Sequence, residues 1–303
     1  MGVSALTSTA HAQTRLPGAP VEDRNQNLIG LGTGHAWVNL YRPSNSHFYV
    51  VNADTGALTD VGLGLPGDIP VPANYDVETG AGVVQSTELA VFRPTNGHWY
   101  IRHSNGVVLD IGWGQNGDIP VPADYDNDGK IDVAVFRPTN GTWYIRYACC
   151  GGLVTSTIGF GQSGDVPVQA DYDGDHFADL GVFRPSNHTW YIHSVHTGAI
   201  TTTSYGNSGD VPVPADYDND GTVDLAVYRP SNNTWYMHTA SWDRATAFGA
   251  AGDTLIPGSW EPNVYPSTAP VPAVYRPSTR SFYVWPFGQI VAALGNPGDI
   301  PVP

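Results

Sequence analysis

Along most of this chain short apolar runs alternate with polar turns, at intervals too brief for helices. The segment AVFRPTNGTWYI (134–145) shows the unit: an apolar stretch closing on Arg-Pro, an Asn-Gly turn, then an aromatic-rich alternating stretch. Period-two alternation over a few residues predicts half-buried strands, and an Asn-Gly pair between two such runs predicts a hairpin. A third β-branched run follows, as in LVTSTIGF (153–160) or AITTTSY (199–205). The fourth is proline-spaced, IPVPADYD or VPVPADYD.

The pattern recurs. Arg-Pro stands at 42–43, 93–94, 137–138, 184–185, 229–230 and 276–277, and Gly-Asp at 67–68, 117–118, 164–165, 209–210, 252–253 and 298–299. Six copies of about 46 residues, four strands each, fill residues 28–303, the size of a propeller blade. They predict one all-β domain, a β-propeller of six four-stranded blades, with seven blades as the alternative. Prolines two apart, such as Pro120 and Pro122 or Pro212 and Pro214, delete successive N–H donors from one strand edge. Proline is confined to such free edges, which predicts the innermost strand of each blade, facing the channel. HAWVNLYRP opens the repeats without a proline-spaced strand before it, and GDIPVP ends them without a partner after it. The C-terminal strand is therefore expected to join the N-terminal blade and close the ring, removing exposed edges.

Ahead of the repeats, residues 1–27 read as a signal-peptide remnant, with Ala10-His11-Ala12 resembling a cleavage site, followed by a flexible leader. The expectation is a secreted, extracellular protein. The formal charge is −15 and Lys130 is the single lysine, so nothing would neutralise phosphates. Nucleic acid is excluded as a partner, and no apolar run is long enough to insert into a membrane. Cys149 and Cys150 are neighbours beside two glycines, two thiols or a vicinal bridge at a hairpin tip.

One element adds chemistry. Asp124, Asp126, Asp128 and Asp132 precede a strand at positions 1, 3, 5 and 9 of a loop whose seventh residue, Lys130, would lend its carbonyl. The frame returns as Asp171, Asp173, Asp175, Phe177 and Asp179, and as Asp216, Asp218, Asp220, Thr222 and Asp224. Alternate carboxylates on a turning backbone supply the six to eight oxygens that a hard cation demands. About three structural Ca²⁺ ions are expected. No glutamate stands at position 12, where the first copy has Val135 within a strand, so these are not helix-flanked loops. His176 replaces the loop glycine in the second copy, which predicts strain there. The loop degenerates around Asn74-Tyr-Asp76 and Glu88, and at 261–271.

These loops, with FGQSGD (160–165) and FGAAGD (248–253), resemble the FG-GAP repeats of integrin α-chain propellers and bacterial VCBS-type repeats. A fungal lectin built of such repeats is a relative in kind. The resemblance spans nearly all of 28–303 and implies an extracellular calcium-bearing propeller used for recognition. It implies calcium on the three complete loops only and transfers no ligand.

Arg93, Arg137, Arg184 and Arg229, with Trp99, Trp143, Trp190 and Trp235, admit two readings. They form a repeated tie of Arg to the Gly-Asp carboxylates, or an Arg–aromatic ligand pocket repeated between blades. No metalloprotease spacing or serine elbow occurs. The functional expectation is a carbohydrate-binding, lectin-like module, with an adhesion or scaffold propeller for protein partners as the alternative. A polysaccharide-active lyase or hydrolase comes third. The expected partner is thus a glycan or a cell-surface protein.

Overall fold

The computed structural model describes residues 37–52, 57–75, 87–103, 105–257, 270–286, 288–291 and 294–302. The expected leader, the Asp76 end of the degenerate loop, most of 261–271 and the Cys150 side chain lie outside them. Twenty-four strands form six antiparallel sheets of four. In blade 3 the inner strand is Ile119–Pro120, the second Val133–Arg137, the third Thr142–Arg146 and the outer Thr155–Gly159. Blade 1 takes its inner strand from the far end of the chain: Ile300–Val302 pairs with Trp37–Arg42, setting Tyr41 opposite Ile300. The ring closes with six blades, as the chain ends predict.

The proline argument holds at the level of single hydrogen bonds. In the inner strands of blades 2 to 6 the residue between the two proline positions donates to the second strand: Val71 to Ala90, Val121 to Ala134, Val168 to Gly181, Val213 to Ala226 and Ile256 to Ala273. Pro120 and Pro122 flank Val121, so their missing donors fall on the unpaired edge. Blade 4 has Gln169 at the second of these positions, and blade 6 has Leu255 at the first.

Six apolar clusters occupy the six seams between neighbouring blades. Phe92, Trp99 and Ile101 of blade 2 meet Ile131, Val133 and Val135 of blade 3. Leu40 of blade 1 meets Tyr275 and Phe282 of blade 6, sealing the closure. Each seam is built from the inward residues of two sheets, so no blade buries its apolar face alone. Trp99, Trp143, Trp190 and Trp235 are 0% exposed, and each indole donates to a carbonyl of the loop leading to the next blade, as from Trp143 to Phe160 at 2.7 Å. Blade 6 has Phe282 instead, and the Tyr275 hydroxyl makes the corresponding bond, to Leu294 O.

That same crossing loop carries the Gly-Asp turn. Asp118 lies buried ahead of its inner strand and accepts two parallel bonds from Arg137 Nε and Nη2, at 2.8 and 2.9 Å. Its second oxygen also accepts the Gln115 N–H. All six blades repeat the pair, Arg42 with Asp299 across the closure included. The tie therefore lies within each blade, where the chain crosses over, and not between the strands of two blades. The guanidinium lies over a tyrosine ring, Tyr49, Tyr100, Tyr144, Tyr191, Tyr236 or Tyr283, with Cζ 4.1–4.3 Å from the centroid. The hydrogen bond to Asp holds each of these guanidinium pKa values above its ordinary level.

Removing one partner strands a buried charge, so Arg137→Ala should cost about 3 kcal/mol in chemical denaturation. Arg137→Lys should recover only part, because an ammonium cannot reproduce the fork. A loss below about 0.5 kcal/mol for Arg137→Ala would show that the tie is decorative.

Candidate functional site

The three acidic loops join the inner to the second strand in blades 3, 4 and 5. A bridge between Ala123 and Asp132, and its equivalents Ala170 with Asp179 and Ala215 with Asp224, pinches each loop at its base. The turn demands two left-handed residues. These are Asn127 (φ 56°) and Gly129 (φ 83°) in blade 3, and Asn219 and Gly221 in blade 5. Blade 4 exchanges the order, with Gly174 (φ 80°) first and His176 (φ 72°) second. The strain expected at His176 is present, since a β-carbon in this region costs about 1 kcal/mol.

Within each loop the first, third and ninth aspartates converge. Asp124, Asp126 and Asp132 offer oxygens that all lie within 4.8 Å of one another, as do Asp171, Asp173 and Asp179, and Asp216, Asp218 and Asp224. Backbone amides hold the outer pair. Gly129 N–H donates to Asp124 Oδ2 at 2.9 Å, and Tyr125 N–H to Asp132 Oδ2 at 2.9 Å. The fifth aspartates lie outside these three-residue groups, and one oxygen of each holds the turn. Asp128, Asp175 and Asp220 each accept the N–H of the seventh residue, Lys130, Phe177 and Thr222 respectively.

Electrostatics make these groups costly as they stand. Burial first, and then neighbouring carboxylates, push Asp132 to about 8, Asp179 to about 7 and Asp224 to about 7. Asp124 rises to about 6 for the same reasons, and Asp171 is also raised. Asp126 Oδ1, Asp179 Oδ1 and both oxygens of Asp218 are buried and accept no hydrogen bond. A carboxylate in that state needs a partner. The donor set is all oxygen, the chemistry that calcium takes, so the residues present fit the expected ion.

Blade 2 solves the same problem differently. Glu88 stands where the ninth aspartate would be and accepts the Tyr75 N–H, while its other oxygen meets His103 Nδ1. An imidazole thus faces the carboxylate, a partner that the sequence pattern did not reveal because His103 lies fifteen residues downstream.

The expected Arg–Trp pockets do not form. Arg93, Arg137, Arg184 and Arg229 are engaged by aspartate and tyrosine, and the four tryptophans are enclosed, leaving no ring face for a ligand. The signal for this arrangement is the tyrosine directly after the buried aromatic of each third strand, as in Trp143-Tyr144, which recurs in every copy of the motif.

No protein-family model matches the chain, and no curated protein matches it. Solved structures do. An Agrocybe aegerita lectin, described for specific recognition of non-reducing terminal N-acetylglucosamine, aligns with a TM-score of 0.55 at 12% identity, over 89% of this chain and 80% of that one. BBS1N in complex with ARL6DN aligns with a TM-score of 0.54 at 12% identity, over 96% and 86%. Virginiamycin B lyase from Staphylococcus aureus aligns with a TM-score of 0.50 at 12% identity, over 80% and 74%. At such identities the likeness concerns the propeller fold alone.

Calcium should raise the melting temperature, each site adding about 2.7 kcal/mol at a hundredfold excess over its dissociation constant. In metal-free protein the raised carboxylate pKa values favour the protonated folded state. That stability is complete below about pH 4 and is lost as pH climbs toward about 8, so melting should fall over this window and calcium should abolish the fall. Asp179→Asn should raise the melting temperature without calcium and lower it with calcium. The same sign in both states would contradict the assignment.

Proposed function

We propose that the chain is a secreted, calcium-stabilised propeller of FG-GAP-type repeats that recognises carbohydrate. The observation that carries this reading lies on blades 1 and 2. There the third strand opens with histidine, where the other blades have Thr142, Thr189, Thr234 or Ser281. His47 Nδ1 lies 2.5 Å from Asp60 Oδ1, and His98 Nδ1 lies 2.6 Å from Asp110 Oδ1. Each imidazole stacks beside a tyrosine, Tyr49 or Tyr100, with centroids 6.2 and 6.3 Å apart. Each also lies over a glycine, Gly62 or Gly112, where a β-carbon would sit 3.2–3.3 Å from Nε2. Both pairs are part-exposed.

Sugars present apolar C–H faces to aromatic rings and hydroxyls to carboxylate, amide and imidazole groups. Asn45 and Asn96, bonded to the tyrosine hydroxyls, extend the same polar rim. The lectin among the structural neighbours supports the reading by analogy of fold. No helix among the described residues is long and apolar enough to cross a membrane.

A protein partner is the second reading, and a different observation favours it. Leu58, Val108, Val154 and Ile200 stand at or just before the start of the outer strands of blades 1 to 4 and are 58%, 45%, 45% and 59% exposed. Repeated apolar positions at one level of four successive blades suit a protein surface.

A glycan array probed with calcium-loaded protein separates the two. Binding should occur, weaken on chelation, and fall at least about fivefold in His98→Ala, while stability changes by no more than about 0.5 kcal/mol. An array without any bound glycan would contradict the carbohydrate reading and leave the protein-partner reading standing.

A further inference from the structure

The acidic loops touch one another. Ala178 N–H of the blade 4 loop donates to Asp124 O of the blade 3 loop at 2.8 Å, and Val223 N–H of blade 5 donates to Asp171 O of blade 4 at 2.8 Å. Upstream, Ile131 N–H of blade 3 donates to Asn74 O of blade 2 at 2.7 Å. The loops of blades 4 and 5 also pack closely, since a β-carbon on Gly174 would lie 3.1 Å from Thr222 Cγ2.

The position of each bond gives it meaning. The donor is the eighth loop residue, flanked by the seventh, whose carbonyl the loop spacing assigns to the expected ion, and by the ninth, a converging aspartate. The acceptor is the backbone carbonyl of a first-position aspartate, also one of the converging three. A single backbone hydrogen bond therefore joins ligand-bearing residues of two neighbouring loops, with no side chain between them.

We propose that the three loops take up cations as one coupled row and not as three separate sites, an inference that rests on the cation reading above. Filling one loop fixes its residues 7 to 9, and so the N–H that they hold between them. That N–H in turn places the first aspartate of the preceding loop. The next ion meets a ligand already positioned, and less ordering remains to be done. The row has an end at blade 2, where Glu88 faces His103. Blade 4 sits in the middle and contacts both other loops.

Calorimetric titration of the full chain with calcium tests this, using wild type, Asp173→Asn and Asp218→Asn. Wild type should bind three ions along an isotherm steeper than independent sites allow. Asp173→Asn, which silences the middle loop, should bind two ions about fivefold more weakly, and the steepness should vanish. Asp218→Asn should also bind two ions but keep the steepness, because blades 3 and 4 remain in contact. Two ions bound to Asp173→Asn with wild-type affinity, beside an independent-site isotherm for wild type, would overturn the coupling. No uptake by folded wild type would overturn the cation reading beneath it, a result distinct from uptake without coupling.

Discussion

Three carboxylates gathered within 4.8 Å, one of them fully buried, cannot all stay ionised without a positive partner. Every distinctive part of the acidic loops follows from that constraint. The left-handed turn, the amides clamping the first and ninth aspartates, and the bridge at the loop base all bring charge together instead of spreading it. Blade 2 makes the same point by another route: at the ninth position stands Glu88, and a histidine meets it.

Repetition allows the two ends of each blade to specialise. At one end of the second strand stands the arginine, forked onto the buried aspartate that starts the inner strand, with tyrosine beneath it. At the other end stands the acidic loop. The first arrangement is complete within the chain and occurs six times. The second is a carboxylate cluster that could hold a cation, and it occurs on three consecutive blades among the described residues. On the proposed cation reading, stiff crossovers at one rim and acidic loops at the other would let metal set the order of one face without unmaking the ring.

Much of this was legible in the residues. Six Arg-Pro marks gave the blade count, and the proline spacing identified the free edge, because a missing N–H is a local property that no distant contact can alter. Closure was legible for the same reason: GDIPVP lacked only a partner, and Asn39 to Tyr41 supplied it. The fate of the tryptophans was not. Whether an aromatic strand residue faces a seam or solvent depends on how two sheets meet, and alternation alone assigns Trp143 and Tyr144 to opposite faces without naming them. The part played by the fifth aspartates is not legible in the sequence, since turn formation and cation binding call for the same residue at the same spacing. The bonds between loops were invisible, because they join backbone atoms of residues whose side chains say nothing about them.

Crystallography of the calcium-saturated protein at a wavelength sensitive to calcium tests the central claim most directly. The account predicts three anomalous peaks, one in each loop of blades 3, 4 and 5, about 2.3–2.6 Å from oxygens of the first, third and ninth aspartates, and none at Glu88. Loops without peaks at saturating calcium, with their carboxylates still gathered, would contradict it.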